Sequence, residues 1–202
     1  MFKRRRPRSY SQIAQESIYP RGGWRRAGQY VLHRLKRLPD GPDRIGRGVA
    51  AGVLTSFTPV FGAHFVLAGL LGWLARGNVL AALIGTFVGN PLTFPFIAVA
   101  SVDLGRRLLG MDGHLGPQLI LTEVGRAMGE IAANLLTLTS SRPSHWQHLA
   151  SVFEQVLWPY MLGGALLGLA AALAAHAATV PVIRAYQRRR VERLARSARR
   201  KG

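Results

Sequence analysis

The 202-residue chain has no cysteine, which excludes a disulfide framework and a thiolate metal site. Acidic residues are scarce, nine Asp and Glu against 27 Lys and Arg, for a net charge of +18. The motifs of common catalytic sites are missing too: no His-Glu metal helix, no phosphate loop with its lysine, no serine elbow. His145 and His148 flank Trp146 in a polar stretch, but no nearby carboxylate pair completes a metal site. The chain reads as a protein without enzymatic chemistry, cofactor or metal. Formal charge is absent altogether from three long stretches, residues 48–75, 79–102 and 156–183.

What is present is divided by position. Residues 1–47 hold 13 of the 27 basic residues, residues 184–202 hold nine, and only Arg76, Arg106, Arg107, Arg126 and Arg142 lie between. With 49% hydrophobic residues, the chain is an apolar body with two basic ends. A nucleic-acid-binding module would set its cations beside its folded core, so the pattern argues against nucleic acid as a partner. It fits a membrane protein whose basic ends stay in the cytoplasm. Each uncharged stretch exceeds the roughly 20 helical residues that cross a bilayer core.

The organisation predicted is a basic arm with an amphipathic helix over 1–44, an apolar core over 45–110, an amphipathic helix and loop over 111–155, a spanning helix over 156–184 and a basic tail over 185–202. "MFKRRRPRSY" resembles the start of a signal peptide, but no apolar segment follows, so a disordered arm is expected. In "WRRAGQYVLHRLKRL" the residues Trp24, Ala27, Val31, Leu35 and Leu38 share one helical face. An interfacial helix, its cations on anionic headgroups, is the reading preferred to a helix packed on the protein's own core. Over 117–139, Ile120, Val124, Ala127, Ile131, Leu135 and Leu138 form a second stripe, with Glu123, Arg126 and Glu130 placed to pair on another face. "SSRPSHWQH" reads as a loop, and the tail as a basic helix or a disordered end. Asp103 is set to pair with Arg106 or Arg107.

Two of the apolar stretches are interrupted. Thr58-Pro59 breaks the first and Asn90-Pro91 the second. Each pairs an N-cap residue with a proline suited to the first helical position, so each reads as the start of a new half-helix. Half-helix N-termini carry unpaired N–H groups and the positive end of the helix dipole, and two of them together attract an anion. For Pro59 alone a packing kink is the preferred reading. In "NPLTFP" the cluster Asn90, Pro91, Thr93 and Pro95 signals a true break. His64 is expected to meet a phosphate, carry a proton, or bond a carbonyl that the break sets free. Arg76 is expected to reach toward headgroups and Asn78 to cap the helix from 79. Thr58, Pro59, His64, Asn90, Pro91 and Thr93 are thus the candidate binding residues. Gly163, Gly164 and Gly168 suggest close helix packing.

The residues from "IGRGVAAGVLTSFTPVF" through "RGN" to "GNPLTFP" resemble the bacterial membrane family known as domain of unknown function 2062. The upstream "YPRGGWRRAGQYVLHRLKRLPDGP" is similar to its alphaproteobacterial members. The resemblance implies a membrane protein. Relatives joined to glycosyltransferase domains point to lipid-linked sugar or envelope metabolism, and no catalytic role carries over.

The expectation is an all-α, multi-pass protein of the inner membrane with both termini cytoplasmic, membrane lipids as partners and room for a homo-oligomer. An even number of crossings then requires either a re-entrant stretch, which is preferred, or a fourth crossing by 117–139. The functions in view are binding or translocation of an anionic lipid-linked substrate at the paired breaks, or a non-transporting scaffold that recruits partners or anionic lipid through its basic ends.

Overall fold

The structure is a computed structural model that describes residues 23–60, 62–111, 113, 115–137 and 152–199. The arm before residue 23, the loop around His145 and His148, and the last three residues lie outside the described part. Every regular element among the described residues is helical. In chain order they are α1 (Gly23–Lys36), α2 (Pro42–Ser56), α3 (His64–Leu74), α4 (Val79–Gly85) extended by the 3-10 turn Thr86–Val88, α5 (Phe94–Leu108), α6 (Pro117–Thr137), and α7 (Trp158–Arg199), which a π-helical turn, Phe153–Leu157, precedes.

The long helix α7 organises the rest. Its 42 residues extend about 63 Å at 1.5 Å per residue. The apolar stretch and the basic tail are one continuous helix, with Pro181 inside it. Helices α2 and α5 pack along α7 one after the other. Gly46 of α2 abuts His176 and Val180, Phe57 at the end of α2 lies on Gly164 and Gly168, and Ser101 and Gly105 of α5 face Gly163 and Pro159. Positions rise along α2 and α5 as they fall along α7, so both run antiparallel to it. The approach is backbone to backbone: a Cβ on Gly163 would overlap the Ser101 carbonyl oxygen, and one on Gly105 would overlap that of Pro159. Small residues at such crossings are what close packing demands.

Helices α3 and α4 form a hairpin against α2. From Ser56 the chain turns back through α3. The turn at 75–78 is fastened to the start of α2, where Asn78 N–H donates to Arg44 O at 2.9 Å and Arg47 Nη2 donates to Arg76 O at 3.0 Å. Helix α4 then returns along α2, with Gly85 against Val49 and Gly52, and finishes beside Ser56. Two half-length helices, α2 and α3, thus go out and come back. The second apolar stretch instead continues outward through α5.

Two apolar clusters fill the interior. Leu35, Ile45, Val49, Val53, Ala81 and Ile183 join α1, α2, α4 and α7 at one end. Ala98, Val102, Ile120, Ala127, Val152, Val156, Leu157 and Tyr160 join α5, α6 and α7 at the other. Arg126 pairs with Glu123 at 3.0 Å on α6, and Asp103 pairs with Arg107 at 3.1 Å. Arg106 instead turns inward and donates to Gly113 O and Gln155 O, tying the segment after α5 to the turn that precedes α7.

Two expectations are corrected. The second half of the first stretch does not begin at Thr58-Pro59. Thr58 Oγ1 donates back to Thr55 O at 2.8 Å and Thr58 N–H to the same oxygen at 3.0 Å. Thr58 therefore closes the end of α2, where proline commonly follows, and the next helix starts at His64. The apolar face of α1 is also less free than an interfacial helix requires: Val31, Leu35 and Leu38 pack on Ile45 and Ile183 of the protein's own core.

The two basic ends converge. Lys36 Nζ lies 5.5 Å from the centre of the Tyr186 ring, Gln187 Nε2 donates to Asp40 O at 2.9 Å, and Arg184 reaches Asp43 at 3.5 Å. One helix among the described residues, Phe153–Ser197, is long and apolar enough to cross a membrane, while His64–Leu74 and Val79–Val88 are apolar but short.

Candidate site at the junction of the broken helices

Both breaks lie at one level of the bundle. Ser56 is the last residue of α2, and its Oγ donates to Gly52 O and to Thr86 O, each at 3.2 Å. A Cβ on Gly89 would stand 2.8 Å from Ser56 Cβ. The end of the first half-helix and the start of the second break therefore touch. Phe57, one residue on, packs on Gly164 and Gly168, close to the middle of the uncharged stretch 156–183. Ser56, Thr86 and Gly89 were not singled out from the sequence. Their only signal there is a small or hydroxyl residue just before each break.

Asn90 and Thr93 cap each other. Asn90 Oδ1 accepts from Leu92 N–H at 2.9 Å and from Thr93 N–H at 3.1 Å. In return Asn90 N–H donates to Thr93 Oγ1 at 3.0 Å, and that hydroxyl donates to Val88 O. This is the reciprocal arrangement of a capping box, built with asparagine and threonine. The first helical bond, Phe94 N–H to Asn90 O at 2.8 Å, follows at once. The four leading positions are thereby accounted for. Pro91 has no N–H, Leu92 and Thr93 donate to the Asn90 side chain, and Phe94 donates to its carbonyl. With the cap closed the N–H groups of Asn90, Leu92, Thr93 and Phe94 all have partners, although Leu92 and Phe96 beside them are 45% and 73% exposed.

At the first break His64 Nε2 lies 3.3 Å from Thr58 O, a bond the ring donates in its Nε2–H form. Pro59 is buried and His64 half-buried. Arg76 and Asn78 sit at the far end of the hairpin, away from the junction. Asn78 Oδ1 accepts from Ala81 N–H at 2.7 Å and so caps α4, while its Nδ2 donates to Asp40.

Arg106, which the sequence marked only as a partner for Asp103, is the most buried cation described, at 8% exposure. Ser101 Oγ and Tyr160 Oη are buried without a hydrogen-bond partner where α5 meets α7. Neither was visible in the sequence, because each lies inside a run that is apolar on every side.

A family model described as an uncharacterized protein conserved in bacteria (DUF2062) matches residues 25–192. No curated protein and no solved structure matches the chain.

Proposed function

This chain belongs to the bacterial DUF2062 family, and on that premise we propose a multi-pass inner-membrane protein that binds or translocates an anionic, lipid-linked substrate at the level of its two broken helices. The observation that carries the reading is the contact of Ser56 with Thr86 and Gly89, at the level where Phe57 packs on Gly164 and Gly168 within the uncharged part of α7. In this reading α7 crosses the membrane once, α4 and α5 cross it as one interrupted helix, and α2 and α3 form a re-entrant hairpin. Helix α3 has 11 residues and α4 with its 3-10 turn has ten. Those lengths correspond to about 15–17 Å each, roughly half of a hydrocarbon core of about 30 Å.

Exposure supports the same reading. Only 22% of the apolar window of Phe153–Ser197 is buried, whereas the central helix of a soluble domain is mostly covered. Phe65, Val66, Leu70 and Trp73 of α3, Phe87 beyond α4, and Leu166, Leu169 and Leu173 of α7 are exposed as well. An apolar surface of this kind calls for lipid or a partner. With α1 and the tail of α7 at one end of the bundle, two crossings leave both basic ends cytoplasmic.

The capping box defines how an anion would enter. The N–H groups of Leu92 and Thr93 are the donors that an anionic group could take over if Asn90 swings away, and the α5 dipole favours that exchange. A closed cap keeps the N–H groups of Leu92 and Thr93 paired in the absence of ligand, as a break that meets lipid requires. The second reading, a scaffold recruiting partners or anionic lipid, is favoured by the convergence of the basic ends.

The two are separated by native mass spectra of protein taken from its own membranes. A transporter or binder retains an anionic lipid-linked molecule that Asn90→Leu loses at unchanged membrane abundance. Equal retention in both proteins would remove the junction from consideration and leave the scaffold. Release of the wild type from membranes by high salt would overturn the membrane assignment itself, because burial in lipid is not screened by ions.

A further inference from the structure

Arg76 stands in a conformation that its residue type disfavours. Its φ is 50°, the one positive φ outside glycine among the described residues. The reason is the end of α3: Gly77 N–H donates to Gly72 O at 2.8 Å and Arg76 N–H to Trp73 O at 2.9 Å. This pairing is the Schellman ending, whose left-handed position is usually glycine. Here the glycine comes one residue later, at Gly77, where a Cβ would stand 2.6 Å from Gly48 N. Packing therefore explains Gly77, while nothing in the packing explains an arginine at 76. A strained side chain kept where glycine would be easier is a sign of use.

The surroundings say what the use is. Arg47 comes from α2, 29 positions earlier, and its Nη2 donates to Arg76 O at 3.0 Å. Both arginines are exposed, and neither pairs with an acid among the described residues. The acids within reach are already engaged. Asp40 accepts from Arg44 at 2.8 Å through one oxygen and from Asn78 through the other, and Asp43 faces Arg184. The Arg47 guanidinium thus reaches the backbone of Arg76 at one turn, and guanidinium groups that no acid offsets are donors suited to phosphate oxygens. Trp73, 67% exposed in the last turn of α3, is the kind of side chain that lies at headgroup depth.

We propose that Arg47 and Arg76 hold the phosphate of an anionic membrane lipid where the α3–α4 turn meets the start of α2. The site rests on the membrane reading above but is separate from the junction at Ser56 and Asn90. Lipid here holds the hairpin's base at the cytoplasmic face and offsets the charge of two arginines that no acid pairs among the described residues.

Arg76→Gly is the decisive variant, because it removes the guanidinium and relieves the backbone together. The full chain is placed in nanodiscs of phosphatidylcholine with or without phosphatidylglycerol, and its thermal midpoint and retained lipid are measured. In phosphatidylcholine alone, Arg76→Gly melts at or above the wild-type midpoint. Phosphatidylglycerol raises the wild-type midpoint, and its affinity falls about tenfold or more in Arg76→Gly and in Arg47→Gln, the loss expected for a charge-assisted contact. Arg188→Gln, an exposed cation of the tail, serves as the control for bulk charge. Equal losses in Arg188→Gln and Arg76→Gly would overturn the site, as would undiminished binding by Arg76→Gly. Stabilisation by inorganic phosphate in detergent equal to that by phosphatidylglycerol would overturn the lipid assignment. A molecule lost by Asn90→Leu but kept by Arg76→Gly belongs to the junction and not to this turn, so the two readings fail separately.

Discussion

Asn90→Asp tests where the junction lies. In water the two residues cap helices about equally well. The carboxylate would still accept from Leu92 and Thr93 N–H, which stand 2.9 and 3.1 Å from the present oxygen. It would lose the Nδ2 bond to Phe87 O at 3.2 Å, worth about 1 kcal/mol. It would gain about 0.3–1 kcal/mol from the dipole of α5. In an aqueous setting these terms cancel and the variant is neutral. Half-way through a bilayer the charge costs a further roughly 2.5–3.5 kcal/mol, so the expected net loss is about 3 kcal/mol. Membrane abundance and thermal unfolding in nanodiscs at neutral pH read this directly. A variant as stable and abundant as the wild type at neutral pH would refute the mid-membrane placement of the break.

Gly163→Leu should destabilise the protein by about 3 kcal/mol, because its Cβ meets the backbone of Ser101 and Gly105 and neither can give way. Gly28→Ala, with nothing within 4 Å of its Cβ, should stabilise by about 0.5–1 kcal/mol. Thermal unfolding of both in detergent provides the comparison. Reporter fusions at Met1 and Gly202 should both give cytoplasmic signals, and a periplasmic signal at either end would break the two-crossing topology.

The junction was partly legible in the sequence because asparagine, threonine and proline are chemically out of place in an apolar stretch. Asn90, Pro91 and Thr93 announce a helix start by local chemistry alone, and their capping box closes within four residues. Thr58 carried the same local signal and meant something different. Its hydroxyl can turn forward to cap a new helix or back to Thr55 O, and only the packing of Phe57 on Gly164 and Gly168 selects the second. The stripe Val31, Leu35 and Leu38 likewise said that one face of α1 would be buried but not by what. Lipid and the Ile45–Ile183 cluster are equivalent to a side chain that needs only to leave water.

What the sequence determined by itself is the division into apolar body and basic ends, the all-helical character, the site of each interruption and the family. These follow from composition and from interactions spanning a few residues. Tertiary structure alone decided that α2 turns back while α4 continues into α5, that both interruptions fall at one level, and that Arg47 meets the backbone of Arg76. Those outcomes depend on which glycines let backbones touch. Gly48, Gly52, Gly85, Gly105 and Gly163 are all small residues in apolar surroundings, and a sequence shows that they can permit close approach without showing which helix arrives.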